Sequence, residues 1–181
     1  MIFNRALEEK LKRIIRDIPD YPKPGIVFKD ITPVLTDPLL MREATDALLN
    51  HAASVKPDAV VAIEARGFIF GSVLAYHLNC AFVPVRKLGK LPYRTVSESY
   101  ALEYGTSSVE MHEDALQPGW RVLIHDDLLA TGGTASAAAA LVQKLKGVVA
   151  GFSFLVNLGF LPGEETIRRK YGVQPGYLVK F

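Results

Sequence analysis

The 181-residue sequence predicts an α/β domain: an open, mostly parallel twisted sheet flanked by helices. Three observations carry this expectation. Short, uninterrupted apolar runs, such as Ala59–Ile63 and residues 148–158, have the texture of strands covered on both faces. Stretches at helical spacing separate them, and strands alternating with helices build parallel sheets. The length fits one domain, and 49% hydrophobic residues suffice for a sizeable core, which excludes a disordered chain.

The elements follow in order. Residues 5–17 place Ala6, Leu7, Leu11, Ile14 and Ile15 on one face of a helix. Prolines at 19, 22, 24, 33 and 38 reduce residues 19–38 to a structured loop or short edge elements. Asp37 and Pro38 then open a second helix that runs to about Ser54, with Asp at the cap and Pro in the first turn. Ala59–Ile63 is a buried strand, Gly67–Leu78 a helix and residues 81–85 the next strand. Residues 86–97 are polar and irregular, and residues 99–104 and 106–111 are suited to pair as a hairpin around Gly105. Gln117-Pro118-Gly119 turns the chain into a strand over 121–124. An alanine-rich helix over 134–146, the strand at 148–158 and a terminal strand over 177–179 complete the pattern.

Twenty-one Lys and Arg against nineteen Asp and Glu leave a net charge of +2, too balanced for a nucleic-acid or membrane-surface binder. One cysteine, Cys80, makes neither an internal disulfide nor a cysteine-built metal site. The longest uncharged run, residues 67–85, approaches the ~20 residues of a membrane span. His77, Asn79 and Pro84 interrupt it, and the opening residues show no secretory signal. The expectation is a soluble, cytoplasmic domain without nucleic-acid or membrane partners.

The chemistry concentrates in Val122-Leu123-Ile124-His125-Asp126-Asp127-Leu128-Leu129-Ala130-Thr131-Gly132-Gly133-Thr134. A buried strand ends in two carboxylates, and a Thr-Gly-Gly-Thr turn opens a helix. In open α/β sheets, ligands bind beyond the carboxyl ends of strands. The glycines let backbone N–H groups converge on an anion, and the helix dipole adds positive potential. The carboxylates repel a phosphate at contact distance but suit a sugar's hydroxyls, or Mg²⁺ attached to them. Neither G-x-G-x-x-G nor G-x-x-x-x-G-K-[ST] is present.

This segment resembles the phosphoribosyltransferases. Four further blocks narrow the resemblance to the adenine phosphoribosyltransferase family: Pro24-Gly25-Ile26-Val27-Phe28-Lys29-Asp30-Ile31-Thr32-Pro33, Glu64-Ala65-Arg66-Gly67-Phe68, Arg86-Lys87-Leu88-Gly89-Lys90-Leu91-Pro92 and Tyr100-Ala101-Leu102-Glu103-Tyr104-Gly105. The resemblance spans nearly the whole chain. It implies a phosphoribosyltransferase-type fold over residues 1–181, with an N-terminal helix and base-recognition loop at 1–38 as a small hood. A flexible lid is implied at 86–104. The implied reaction moves phosphoribosyl from 5-phosphoribosyl-1-pyrophosphate (PRPP) to adenine with Mg²⁺, giving AMP and pyrophosphate, in a homodimer.

Carried over by position, Asp126 and Asp127 face the ribose hydroxyls, and Ala130, Thr131, Gly132, Gly133 and Thr134 cradle the 5′-phosphate. Glu64, Ala65, Arg66 and Gly67 meet the pyrophosphate, with Lys87 and Lys90 from the lid. Ile26 and Val27 read adenine through main chain, Phe28 stacks on it, and Lys29 stands where many relatives have arginine. Glu103 is the acid–base carboxylate, with Arg66 and Lys87 beside it in the catalytic set. Mg²⁺ is held mainly through PRPP and water, with no dedicated protein ligand set. A non-proline cis peptide is expected at Glu64-Ala65, where the strand end must turn N–H groups inward and the Glu64 carboxylate away. His125 is read as a structural residue. Two alternatives stand beside this reading: transfer to another purine (hypoxanthine, guanine or xanthine), or a non-catalytic PRPP-sensing regulator of the same fold.

Overall fold

The computed structural model describes residues 4–101 and 106–181. Helix α1 (Arg5–Ile14) is capped by Asn4, whose side chain accepts from the Leu7 N–H. It ends before residue 17, because the chain turns into β1 (Arg16–Pro19), antiparallel to β2 (Val27–Asp30). This separate two-stranded sheet is the form the short edge elements take. Helices α2 (Thr32–Thr36) and α3 (Pro38–Val55) follow, and the Asp37 carboxylate caps α3 by accepting from the Leu39 and Leu40 N–H groups.

The main sheet comprises, among the described residues, β3 (Ala59–Ile63), β4 (Ala81–Lys87), β5 (Thr95–Ala101), β6 (Thr106–His112), β7 (Arg121–Leu129), β8 (Val148–Asn157) and β9 (Gly176–Lys180). Their order is β5-β6-β4-β3-β7-β8-β9. From β4 to β9 every neighbouring pair is parallel, and β5 and β6 add an antiparallel hairpin edge to β4. Helices α4 (Gly67–Leu78), α5 (Gly133–Lys144) and α6 (Gly163–Tyr171) complete the chain. Strand alternation splits the core into two layers. Val61 and Ile63 pack in one cluster with α5 residues such as Ala138 and Leu141. Val60 packs in the other with Leu11, Leu48 and Phe70 of α1, α3 and α4.

Three expectations change. Residues 86–97 are not wholly irregular: β4 continues to Lys87 and β5 begins at Thr95, because β6 supplies ladder partners for polar residues at this edge. Strand β7 runs past Ile124 to Leu129, so the acid pair lies within the strand, held by pairing with β8. Helix α6 was not anticipated. The closure of the hairpin around Gly105 lies outside the described residues. No helix among the described residues is long and apolar enough to cross a membrane.

Chain order reverses at β3, which has β4 on one side and β7 on the other. A ligand crevice belongs beyond the carboxyl ends of strands at such a switch point.

Candidate active site

Strands β3 and β7 run side by side, with Ala62 opposite His125, so the segment after Ile63 meets Asp126 and Asp127. The Glu64-Ala65 peptide bond is cis, as expected. The Glu64 carboxylate is drawn toward β4, accepting from Arg86 Nε at 2.5 Å and from the Lys87 N–H at 3.1 Å. Burial pushes the Glu64 carboxyl up, but Arg86 and the Lys87 N–H outweigh it and hold it below its ordinary value. Gly67 then begins α4 against the acid pair. A Cβ there would lie 2.9 Å from Asp126 Oδ1 and 3.1 Å from the His125 carbonyl oxygen, so only glycine fits without displacement.

The two carboxylates have different surroundings. Asp126 Oδ1 accepts from the Asp127 N–H at 2.8 Å. Burial, then the charge of Asp127, raises the Asp126 carboxyl well above its ordinary value. Burial raises Asp127 as well, with Arg66 opposing. Arg66 Nε lies 2.9 Å from Asp127 Oδ2, yet no donor hydrogen is aligned on that oxygen. The contact is an ion pair that leaves a lone pair unspent. Beneath them His125 is fully buried and pushed by burial down to about 3, hence neutral, with Nδ1 3.3 Å from Ser153 Oγ. It is not among the walls of the cavity described below.

Beyond β7 the chain turns through Ala130 and Thr131 into Gly132, the N-cap of α5, at φ +83°. No side chain caps this helix by the usual N-cap bond, and Thr131 Oγ1 is 3.5 Å from the Gly133 N–H, at the limit of hydrogen bonding. The leading N–H donors are therefore left for an anion, which the helix dipole favours. Glu64, Ala65, Arg66, Asp126, Asp127 and residues 130–134 together wall a cavity of about 280 Å³.

At the rim stands β2. Phe28 meets the edge of Tyr21 at 5.2 Å, and Arg66 Cζ lies 4.6 Å from the centre of the Phe28 ring. Arg66 Nη1 also donates to the Lys29 carbonyl at 3.4 Å. The side chains of Ile26 and Val27 are exposed. The Ile26 backbone is occupied within its loop, donating to Lys23 O and accepting from the Tyr21 N–H. The Val27 carbonyl is different: the residue opposite in the ladder is Pro19, which has no N–H to give it. The Lys29 side chain is buried and committed elsewhere, with Nζ 2.5 Å from Asp17 and 3.7 Å over the Phe181 ring.

Lys87 and Lys90 are not among the cavity walls. They flank a turn that the buried Glu110 staples, its Oε1 accepting from the Lys90 and Leu91 N–H groups at 2.8 Å each. Glu103 lies outside the described residues. Reasoning from sequence passed over Tyr100, which lines the cavity, and Glu110 and Gly163, which brace its surroundings. A charged residue between the apolar Val109 and Met111 of β6 was the available signal for Glu110; Gly163 carried none.

The phosphoribosyl transferase domain family matches residues 33–159. The chain is 52% identical over 161 residues to the adenine phosphoribosyltransferase of Cytophaga hutchinsonii, covering 89% of each protein. The chain belongs to the adenine phosphoribosyltransferase family. It is also 55% identical over 157 residues to the adenine phosphoribosyltransferase of Thermobifida fusca, covering 87% of this chain and 89% of the relative. Among solved structures, the adenine phosphoribosyltransferase of Rhodothermus marinus superposes with a TM-score of 0.92 at 52% identity, covering 98% of this chain and all of that one. The Saccharomyces cerevisiae adenine phosphoribosyltransferase, solved with an imino-altritol bisphosphate and adenine, gives 0.86 at 36% identity, covering 97% and 99%. The matched domain begins at residue 33, beyond β2. Strands β1 and β2 thus lie outside the matched residues.

Proposed function

We propose that the chain transfers the 5-phosphoribosyl group of PRPP to adenine, releasing pyrophosphate and forming AMP. The supporting observation is one cavity that unites a buried acid pair, an uncapped helix N-terminus behind Gly132 and the arginine that reaches Phe28. Adenine seats on Phe28, its amino group donating to the Val27 carbonyl. Asp126 and Asp127 accept from the ribose hydroxyls, and the N–H groups of residues 130–134 hold the 5′-phosphate. Residues 64–67 receive the pyrophosphate.

In the transfer the C1′–O bond to pyrophosphate breaks, and its electron pair leaves with the pyrophosphate. The purine nitrogen supplies the pair for the new C1′–N bond, and its proton passes to a carboxylate, the role the resemblance gives to Glu103. Positive charge on the ribose and negative charge on the leaving group grow together, and Arg66, Lys87 and Lys90 oppose the latter. The donor set fits Mg²⁺ carried on the substrate. Asp127 Oδ2 has no aligned donor, while no cluster of three or more His, Cys, Asp or Glu among the described residues forms a metal cage. Asp126 and Asp127 would approach the ion through the ribose hydroxyls and water. When bound it supplies neutralisation of the diphosphate charge. The protein acts in the cytoplasm as a homodimer, without nucleic-acid or membrane partners.

The test is incubation with PRPP, Mg²⁺ and, separately, adenine, hypoxanthine, guanine and xanthine, followed by chromatography. AMP from adenine alone is the expected outcome. A nucleotide from another base alone reassigns the acceptor, and PRPP binding without any nucleotide marks a sensor.

A further inference from the structure

Helix α6 meets the loop at residues 130–132 backbone to backbone. The Gly163 N–H donates to the Ala130 carbonyl at 3.0 Å. A Cβ on Gly163 would fall 2.3 Å from that oxygen, and one on Gly132 would fall 3.3 Å from the Gly163 Cα. No side chain separates the two segments, so a shift of the helix start is a shift of the loop.

The next residue fixes that start. Glu164 Oε2 accepts from Asn157 Nδ2 at 2.9 Å, Lys180 Nζ at 3.0 Å and Tyr177 Oη at 3.3 Å, and Oε1 accepts from Gln174 Nε2 at 2.6 Å. These donors come from the end of β8, from β9 and from the connection between α6 and β9. Burial raises the Glu164 carboxyl, but Lys180 and Gln174 outweigh it and hold the group below its ordinary value. Glu164 is not among the walls of the active-site cavity. Neither the transfer chemistry nor substrate contact accounts for so many donors on one carboxylate.

We propose that Glu164 is a positioning residue for the phosphate loop, acting through Gly163 on Ala130 and so on the aim of the loop's N–H groups. This rests on the reading of residues 130–134 as the 5′-phosphate cradle. Hydrogen bonds weaken steeply as donors swing off line, so a displaced loop binds the phosphate less well. The 5′-phosphate is not a reacting group, so its contacts are alike in ground and transition states. Their loss therefore raises the KM for PRPP and leaves kcat near its original value. Adenine binds across the crevice on β2 and is spared.

The experiment compares wild type with Glu164→Gln, Lys180→Met and Lys180→Arg. Lys180→Met keeps most of the aliphatic stem that lies against Gly159 and removes the charge. Steady-state kinetics give kcat and both KM values, calorimetry gives the affinity for ribose 5-phosphate, and melting curves report stability. Glu164→Gln should raise the KM for PRPP and the Kd for ribose 5-phosphate by about three- to tenfold, with kcat and the KM for adenine within about twofold. Lys180→Met should move the same two constants by a smaller factor, and Lys180→Arg should restore them. Should Glu164→Gln fail to fold, the two Lys180 variants decide alone. Unchanged constants, or an equal loss in every parameter that follows the melting temperature, would overturn the proposal. Wild-type protein that binds no ribose 5-phosphate would refute the phosphate-loop reading itself, and the proposal with it.

Discussion

Arg66 Nε lies 2.9 Å from Asp127 Oδ2, tying the start of α4 to β7 across the mouth of the crevice. The same guanidinium covers Phe28 and donates to the Lys29 carbonyl. One planar side chain therefore touches the strand assigned to the base and the carboxylates assigned to the sugar. Under the proposed assignment, binding of the two substrates is coupled through this side chain.

Arg66→Lys keeps the charge and loses the fork that makes these contacts together. Losing a charged hydrogen bond predicts a fall in kcat/KM of about one to two decades. Both KM values should rise, because the two subsites share the group. Initial-rate measurements with each substrate varied in turn check this. A rise confined to one substrate would contradict the coupling.

Asp126→Asn should stabilise the protein while impairing it. The folded carboxyl is raised by burial and by Asp127, so the native state binds this proton more tightly than the unfolded chain does. Its contribution favours the fold at low pH and is lost as pH climbs from the ordinary carboxylate range through the raised value. Asparagine keeps an acceptor for the Asp127 N–H and carries no charge to desolvate. The variant should melt about 2–4 °C higher at pH 8, with a difference that shrinks on acidification, and turn over about tenfold or more slowly. Calorimetry across pH, beside an AMP assay, measures both.

Phe28→Leu should raise the KM for adenine by about three- to tenfold, the usual worth of an aromatic contact, and move the KM for PRPP by a smaller factor, because Arg66 rests on the same ring. Equal KM values for adenine in the two proteins would remove Phe28 from the base site.

Glu110→Ala should make the turn between β4 and β5 a protease site. Burial pushes Glu110 up, but the backbone N–H groups of residues 89–91 and the Thr95 hydroxyl outweigh it and hold it below its ordinary value. Its charge therefore supports the turn at and above the ordinary carboxylate range, and that support is lost as pH falls through the lowered value. Trypsin should cut the variant after Lys87 and Lys90 at least several times faster than wild type at pH 8. Identical digestion patterns would show that the staple does not limit access.

The elements legible in the sequence are those whose burial leaves a periodic trace. Strand β3 and helix α4 fall where the apolar runs place them, and the acid pair announces its own neighbourhood. Helix α6 fully buries only Gly163 and Ile167 and half-buries Tyr171 against the core, so its amphipathic signal is two side chains in nine residues. Strand β1 is exposed along most of its length and exists through pairing with β2, a partner no local pattern names. The continuation of β7 through Asp126 and Asp127 was hidden for another reason: two carboxylates read as a strand's end, and β8 carries the ladder past them. Lys29 marks the limit at the site. Its identity was plain, but its burial between Asp17 and Phe181 depends on β1 and on the far end of the described chain.

The close approach of Gly67 to Asp126 also bears on how this site changes over generations. With 2.9 Å between a hypothetical methyl and a carboxylate oxygen, positions 67 and 126 form one heritable unit though they lie far apart in the gene. A side chain at 67 must displace the Asp126 carboxylate and also press on the Asp126 Cα and the His125 carbonyl oxygen, each 3.1 Å from the added Cβ, and the carboxylate is the group the proposed function assigns to the sugar. Position 67 is thus closed to drift while the β7 backbone stays in place, whereas position 126 admits a change of the same shape such as Asp126→Asn at a cost in turnover. A library that randomises both positions together should recover active pairs containing glycine at 67 almost without exception, whereas single-site libraries at neighbouring Phe68 should tolerate many residues.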